Sequence, residues 1–229
     1  MTKDNKEVEK KKYLLLDSAG IRKQSQREMG AESFAVYRTV QAANDADVIC
    51  IVVDGSEPLT NQDQIVASIA KDARKGLVII ANKADLVDDE SKVRFERSFY
   101  RKFDFLKIHK FLWVSAKNEQ NLELIWKEID ASINVTNQTI EQEEVRKLFN
   151  YLMKHKQPKK IRTEKKAILY DLLYLKSNPH TFELLIKDRK TLESTYLKFL
   201  ENTIRRQFKL VGVGIKIKLT EVSQGKVLA

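Results

Sequence analysis

Short apolar runs alternate along this chain with longer amphipathic stretches. Residues 13–17 (Tyr-Leu-Leu-Leu-Asp), 48–53, 77–81 and 111–114 are compact apolar runs that read as strands. Residues 31–43, 61–74, 91–102 and 121–133 carry apolar side chains at helical spacing. Strands regularly separated by helices predict βαβ units around a mostly parallel sheet, an α/β fold. The run at 48–53 is continuous and β-branched, as in a strand buried on both faces, and so predicts a buried Cys50. Thr60 followed by Asp63 predicts a capped helix start, with Asp in the place of the usual Glu. Lys75-Gly76 predicts where that helix ends.

The pattern changes after residue 138. A helix is expected over 140–155, strands over 167–175 and 181–187 around the turn signal Asn178-Pro179, and a helix over 191–208. The last run, 214–220, alternates strictly: Ile215, Ile217 and Leu219 against Lys216, Lys218 and Thr220. That predicts an antiparallel strand with one buried face and one wet, basic face. The expected organisation is an α/β domain over 1–138, a small α+β domain over 139–222 and a tail over 223–229.

Charge separates the same two parts. Residues 145–229 hold 20 Lys/Arg against 7 Asp/Glu, whereas 1–144 hold 22 against 25. The whole excess of the +10 chain therefore lies in its last third, which points to a polyanion-binding module joined to a near-neutral one. With 42% hydrophobic and 32% charged residues the chain can bury a core and is not a disordered one. A single cysteine excludes an internal disulfide framework and fits a reducing compartment. No apolar run is long enough to span a membrane, and 1–12 lack a signal-peptide core, so a cytoplasmic protein without membrane contact is expected.

Three polar clusters follow the predicted strands. Asp17-Ser18-Ala19-Gly20 offers a carboxylate for water-mediated magnesium and a Gly20 amide for a γ-phosphate oxygen. Asn82-Lys83-Ala84-Asp85 suits guanine: the Asp85 carboxylate can accept from both N1–H and the exocyclic amine, a donor pair that adenine lacks. Asn82 can bridge loops, and the Lys83 stem can cover the ring. Ser115-Ala116-Lys117 would then offer the Ala116 amide to guanine O6. No G-x-x-x-x-G-K-[ST] loop occurs in the 229 residues. His109, His155 and His180 lack metal-ligand spacing and read as surface or internally satisfied residues. Asp88-Asp89-Glu90 reads as a solvated helix start.

Asp17-Ser18-Ala19-Gly20-Ile21-Arg22-Lys23 resembles the D-T-A-G-I-R-R/K segment of the Der or EngA ribosome-assembly GTPases. Glu32-Ser33-Phe34, Arg38, Ala46-Asp47, Gln62-Asp63 and Lys75-Gly76 fall where that family has similar residues. So do Asn178-Pro179-His180-Thr181-Phe182 and Tyr196 to Asn202. The resemblance covers the family's second GTPase domain and its C-terminal KH-like domain. It begins inside switch I, at Thr2-Lys3-Asp4, and so implies that the first strand, the P-loop, the next helix and the preceding GTPase domain are absent. Ser18 and Ala84 stand where the family has Thr and Trp. Ile21 occupies the position of a water-orienting Gln and cannot orient water, so no catalytic residue is assignable. The resemblance implies another device for hydrolysis, such as a monovalent cation near the P-loop.

The resemblance further implies GTP or GDP with Mg2+ as cofactors, and ribosomal RNA and the large ribosomal subunit as partners. Its nucleotide-binding residues would be Asp17, Gly20, Asn82, Lys83, Asp85, Ser115, Ala116 and Lys117, with Asp17 holding magnesium through water. Two readings stand side by side: a GTP-regulated rRNA-binding GTPase of large-subunit assembly, and a non-hydrolysing rRNA-binding fragment with crippled nucleotide binding. The strands at 13–17 and 48–53 would flank the absent strand, and are predicted either to pair directly or to leave an irregular N-terminal region. A KH domain clamps RNA through a G-x-x-G loop, which Gly212-Val213-Gly214 does not match. The candidate phosphate contacts are Lys198, Arg205, Arg206, Lys209, Lys216 and Lys218. Tyr196, Phe199 and Phe208 fit either core or base stacking. Lys159, Lys160, Arg162, Lys165 and Lys166 fit either a basic arm or a solvated loop.

Overall fold

The computed structural model describes residues 11–16, 29–106, 109–159 and 167–222, with backbone alone for 29–35 and 105. The first half follows the predicted alternation: α1 (Met29–Asp45), β1 (Val48–Asp54), α2 (Asn61–Ala73), β2 (Gly76–Asn82), α3 (Asp89–Lys102), β3 (Phe111–Trp113) and α4 (Leu122–Thr136). The strands form a parallel sheet in the order β1-β2-β3. β2 is central, and only Asn82 at its end escapes full burial. Ile51, Val53, Ile79 and Ala81 pack with Phe99 and Phe103 on one face, while Val78, Ile80, Leu112 and Val114 pack with Ile129 of α4 on the other.

The start of α2 is capped as its sequence predicts. Asp63 donates its amide to Thr60 Oγ1 at 3.3 Å, and Thr60 donates its amide to Asp63 Oδ2 at 2.7 Å. Both arms of the box form, because the shorter Asp still reaches back across one turn. Its end differs from the expectation: Arg74, not glycine, takes the left-handed conformation (φ 55°). Gly76 serves another purpose, since a Cβ there would lie 2.3 Å from Ser132 Oγ on α4.

The predicted strand at 13–17 does not form over its described residues. Leu14 and Leu15 are 86% and 75% exposed. Tyr13 lies on α4 instead, its ring 4.9 Å from Trp126 and its hydroxyl donating to Asp130 at 2.6 Å, and Lys11 pairs with the same carboxylate at 2.9 Å. β1 pairs only with β2 among the described residues, so residues 13–16 do not pair with it directly. β1 is also not buried on both faces. Packing from the α4 side reaches Val48 but stops there, leaving Val52 60% exposed and Cys50 exposed rather than buried. Enough of the sheet surrounds the thiol for desolvation to raise its pKa.

The second half contains α5 (Gln142–His155), β4 (Leu169–Lys176), β5 (His180–Ile186), α6 (Ser194–Gln207) and β6 (Ile215–Glu221). Its sheet runs β4-β5-β6, with β4 antiparallel and β6 parallel to β5. The antiparallel expectation for the last strand is thus wrong. α6 is a crossover that returns the chain to the end where β5 began, and a crossover makes neighbours parallel. The alternation itself holds: Ile215 is buried, and Lys216 and Lys218 are exposed. Leu148, Phe149 and Leu152 of α5 and Leu200 and Ile204 of α6 share a core with Leu172, Phe182 and Leu184 of the sheet.

The loop Gly212-Val213-Gly214 joins the halves. β3 has only three residues, and the Leu77 amide, beyond its reach, donates to the Gly212 carbonyl at 3.0 Å. Arg74 donates to the Ile215 carbonyl at 2.7 Å. Gly214 has to be glycine, because a Cβ would lie 2.3 Å from the Arg74 carbonyl oxygen.

Candidate functional site

The C-terminal ends of β1, β2 and β3 bring several predicted site residues together, at the edge where open α/β sheets receive ligands. Asn82 closes β2. Its side-chain Oδ1 accepts the Lys83 amide at 2.8 Å and the Ala116 amide at 3.0 Å. The loop after β2 is thereby tied to the loop after β3, the bridging expected of Asn82. The Ala116 amide expected to meet guanine O6 is the one engaged by Asn82. Backbone bonds reinforce the junction, with Ala84 donating to Val114 and Val114 to Ala81, each at 2.9 Å. Ser115 is fully buried, exchanges backbone bonds with Gln120 and accepts the Asn118 amide on its hydroxyl at 3.2 Å. Ala116 and Lys117 are exposed beside it.

Asp85 follows in a short 3-10 turn, Ala84–Leu86. Hydrogen bonding from Ser115 holds its carboxyl below the usual carboxylate range, against partial desolvation and with help from Lys117 and Lys83. Its Oδ1 is nevertheless buried without a hydrogen-bond partner. A buried carboxylate oxygen left unpaired is costly, and it fits a ligand that brings N–H donors. Guanine brings two at the required edge.

Two residues of this edge were not among the predicted ones. Asp54, at the end of β1, pairs with the Lys83 ammonium at 2.5 Å and accepts from the Ser56 amide and hydroxyl at 3.0 and 2.7 Å. Desolvation pushes Asp54 upward, but these bonds outweigh it and leave its pKa below the ordinary value. The pairing orients Lys83, itself in the left-handed conformation (φ 66°). Gly55 donates its amide to the Asn82 carbonyl at 2.9 Å and leaves no room for a side chain, since a Cβ would lie 2.3 Å from the Trp113 ring. The available signal was position: Asp54-Gly55 ends an apolar parallel strand.

Asp17, Gly20 and Ile21 lie outside the described residues, so the phosphate-facing and magnesium-facing assignments do too. Lys160, Arg162, Lys165 and Lys166 also lie outside them. No group of three or more potential metal ligands, and no helix long and apolar enough to cross a membrane, occurs among the described residues. Asp88 caps α3 by accepting the Ser91 amide at 2.8 Å, so the acidic run is a helix start.

The basic candidates of the second half divide. Lys198, Arg206, Lys209, Lys216 and Lys218 are exposed. Arg205 is 8% exposed and is not available to RNA: its guanidinium donates to the Leu210 and Val213 carbonyls at 2.6 and 2.7 Å and pairs with Glu201 at 3.1 Å. Helical spacing alone does not show that Arg205 faces inward while Arg206 faces out. Phe199 and Phe208 pack against the core, and the Tyr196 hydroxyl is buried. His180 is buried between Tyr174 and the Val135 carbonyl, and His155 is exposed.

Comparison with known proteins matches two stretches of the chain. Residues 139–220 match the family described as the KH-domain-like C-terminal domain of EngA bacterial GTPase enzymes, and residues 1–83 match the 50S ribosome-binding GTPase family. GTPase Der of Leptothrix cholodnii is 30% identical over 91% of this chain and 46% of its own. GTPase Der of Clostridium kluyveri is 27% identical over 94% of this chain and 49% of its own. The chain thus spans about half the length of these curated relatives. Aquifex aeolicus Era, solved with GDP and aluminium fluoride, superposes weakly, with 16% identity and a TM-score of 0.40 over 86% of this chain and 73% of that one.

Proposed function

Because this chain belongs to the Der/EngA family, carrying its GTPase and KH-like parts, we propose that its first half binds the base of GTP or GDP and its second half contacts ribosomal RNA during large-subunit assembly. The observation that carries the guanine reading is the buried, unpartnered Oδ1 of Asp85 beside the Asn82–Ala116 tie. Asp85 accepts from N1–H and the exocyclic amine, Lys83 covers the ring with its ammonium anchored on Asp54, and Asn82 fixes the loop that carries Ser115 and Lys117. GTP, when bound with Mg2+, would supply the γ-phosphate that the family's hydrolysis consumes. By resemblance, Asp17 and Gly20 are the residues of this chain directed toward it.

The RNA reading rests on the 20-to-7 excess of basic residues over 145–229 and on the exposed Lys198, Arg206, Lys209, Lys216 and Lys218. β2 links the two sites: its Leu77 end bonds the Gly212 carbonyl of the second half, and its Asn82 end carries the base contacts. A short, buried strand between the sites supports nucleotide-dependent RNA contact.

A titration followed by amide NMR tests the base contact. GDP should shift the resonances of Asp85 and residues 115–117, and ADP should not. Equal shifts from both nucleotides, or none at millimolar GDP, would remove the guanine reading.

A further inference from the structure

α5 buries one stripe of side chains, Val145, Leu148, Phe149 and Leu152, and its first turn is fixed to the second sheet by Gln142. That glutamine donates to the Leu172 carbonyl at 3.0 Å and accepts the Tyr174 amide at 2.8 Å. The opposite face is therefore presented on a rigid element. Along it the acids come first and are already engaged: Glu143 pairs with Arg146 at 3.5 Å and Glu144 with Lys147 at 2.6 Å. Past them the face holds Asn150, Tyr151, Lys154 and His155, followed by Lys156 and Lys159, all exposed. Tyr151 is 54% exposed, and its ring lies 4.9 Å from that of His155, tilted by 40°.

Cations in the last turn complement the helix dipole, but the dipole gives no reason for an exposed aromatic pair among them. A protein partner anchored by Tyr151 would need apolar neighbours to seal out water, and the exposed residues beside it on α5 are polar or cationic. Rings with flanking ammonium groups suit a strand of unpaired nucleotides, whose bases stack while its phosphates meet the lysines.

We propose that the outer face of α5, centred on the Tyr151–His155 pair and flanked by Lys154, Lys156 and Lys159, is a stacking surface for unpaired bases of RNA. It rests on the RNA-binding reading above and lies apart from the candidates on α6 and β6. Tyr151 supplies the stacking plane, and the three lysines supply sequence-independent phosphate contacts.

Fluorescence anisotropy on the whole chain tests this with a fluorescein-labelled oligouridylate, which is unstacked and single-stranded, and with a labelled A-form RNA duplex. Tyr151→Ala should weaken oligouridylate binding about five-fold or more, and Tyr151→Phe, which keeps the ring, less than two-fold. Duplex affinity should be the same in all three proteins. Replacing Lys154, Lys156 and Lys159 by Gln should flatten the slope of log K against log salt by about 2. Thermal melts guard against unfolding, and Tyr151→Phe, at the same exposed position, is the matched control. If the wild type binds oligouridylate and Tyr151→Ala binds it equally, the α5 surface is wrong while RNA binding stands. If the wild type binds neither RNA, the RNA reading falls and this surface with it.

Discussion

Asn82 Oδ1 accepts the Ala116 amide at 3.0 Å, joining two loops that are 34 residues apart in sequence. The same oxygen accepts the Lys83 amide, so one side-chain atom fixes the entry to both base-facing loops. Asn82→Ala should release both amides. We expect the Ala116 amide to exchange with solvent at least ten-fold faster, measured by hydrogen exchange with NMR, and the melting temperature to fall by the equivalent of about 1–2 kcal/mol. An unchanged exchange rate at Ala116 would mean that the tie does not hold the loop.

Asp85 should matter more to the base than to stability. Its Oδ1 is buried without a partner, a cost borne by the ligand-free fold. Asp85→Ala removes that oxygen but also the acceptor of the hydrogen bond from buried Ser115, so the two effects offset and the free protein should change little in stability, while any preference for GDP over ADP should disappear. Thermal melts with and without each nucleotide separate the two effects. A variant that loses stability but keeps discriminating GDP from ADP would show that Asp85 serves the fold and not the base.

Most of this architecture was legible because local and long-range signals agreed. β2 reads as a strand in the sequence and is one, since its apolar run is matched by cover on both faces. The run at 48–53 carries the same signal, yet half of β1 is uncovered, because cover is a property of neighbours and not of the strand's own residues. Residues 13–16 fail for a related reason: Tyr13 and Lys11 find a specific partner in Asp130 of α4, a competition that no local pattern records. Within the site, Asn82, Asp85 and Ser115 were readable as motif letters. Asp54 and Gly55 were not, because their roles depend on the parallel register that sets Asp54 beside Asn82.

Arg205 and Arg206 are adjacent and should separate structure from binding. Arg205 is buried and satisfies two carbonyls of the loop that docks onto Arg74 and Leu77, so Arg205→Leu leaves those carbonyls and Glu201 unpaired. We expect a loss of about 3 kcal/mol or more in urea unfolding. Arg206→Gln, at an exposed position, should change stability by less than about 0.5 kcal/mol. Its effect should appear in RNA affinity, with a shallower salt dependence. Equal destabilisation by both substitutions would contradict the burial of Arg205 alone.

His109 makes the joint between the halves sensitive to acid. It lies against the carbonyls of Leu77 and Gly212, in a cleft of about 170 Å3 also lined by Arg74, Glu201 and Arg205. Burial, and then the charge of Arg205, lower its pKa to about 4, against the weaker pull of the two carbonyls toward the protonated form. In the unfolded chain the same imidazole titrates near the ordinary value of 6.5. Between these values the unfolded state holds a proton that the native state refuses. Stability is therefore full above about pH 6.5, falls as the pH drops through the window, and levels off for this group below about 4. The loss is on the order of 3 kcal/mol across the window. Carboxylates titrate in the lower part of the same range, so the test is a difference: urea unfolding of the wild type and of His109→Gln at pH 7.5 and pH 5. The wild type should lose more stability between the two pH values than the variant does. Equal losses would mean that His109 is solvated and free to protonate in the folded protein, and that the joint is not what acid weakens.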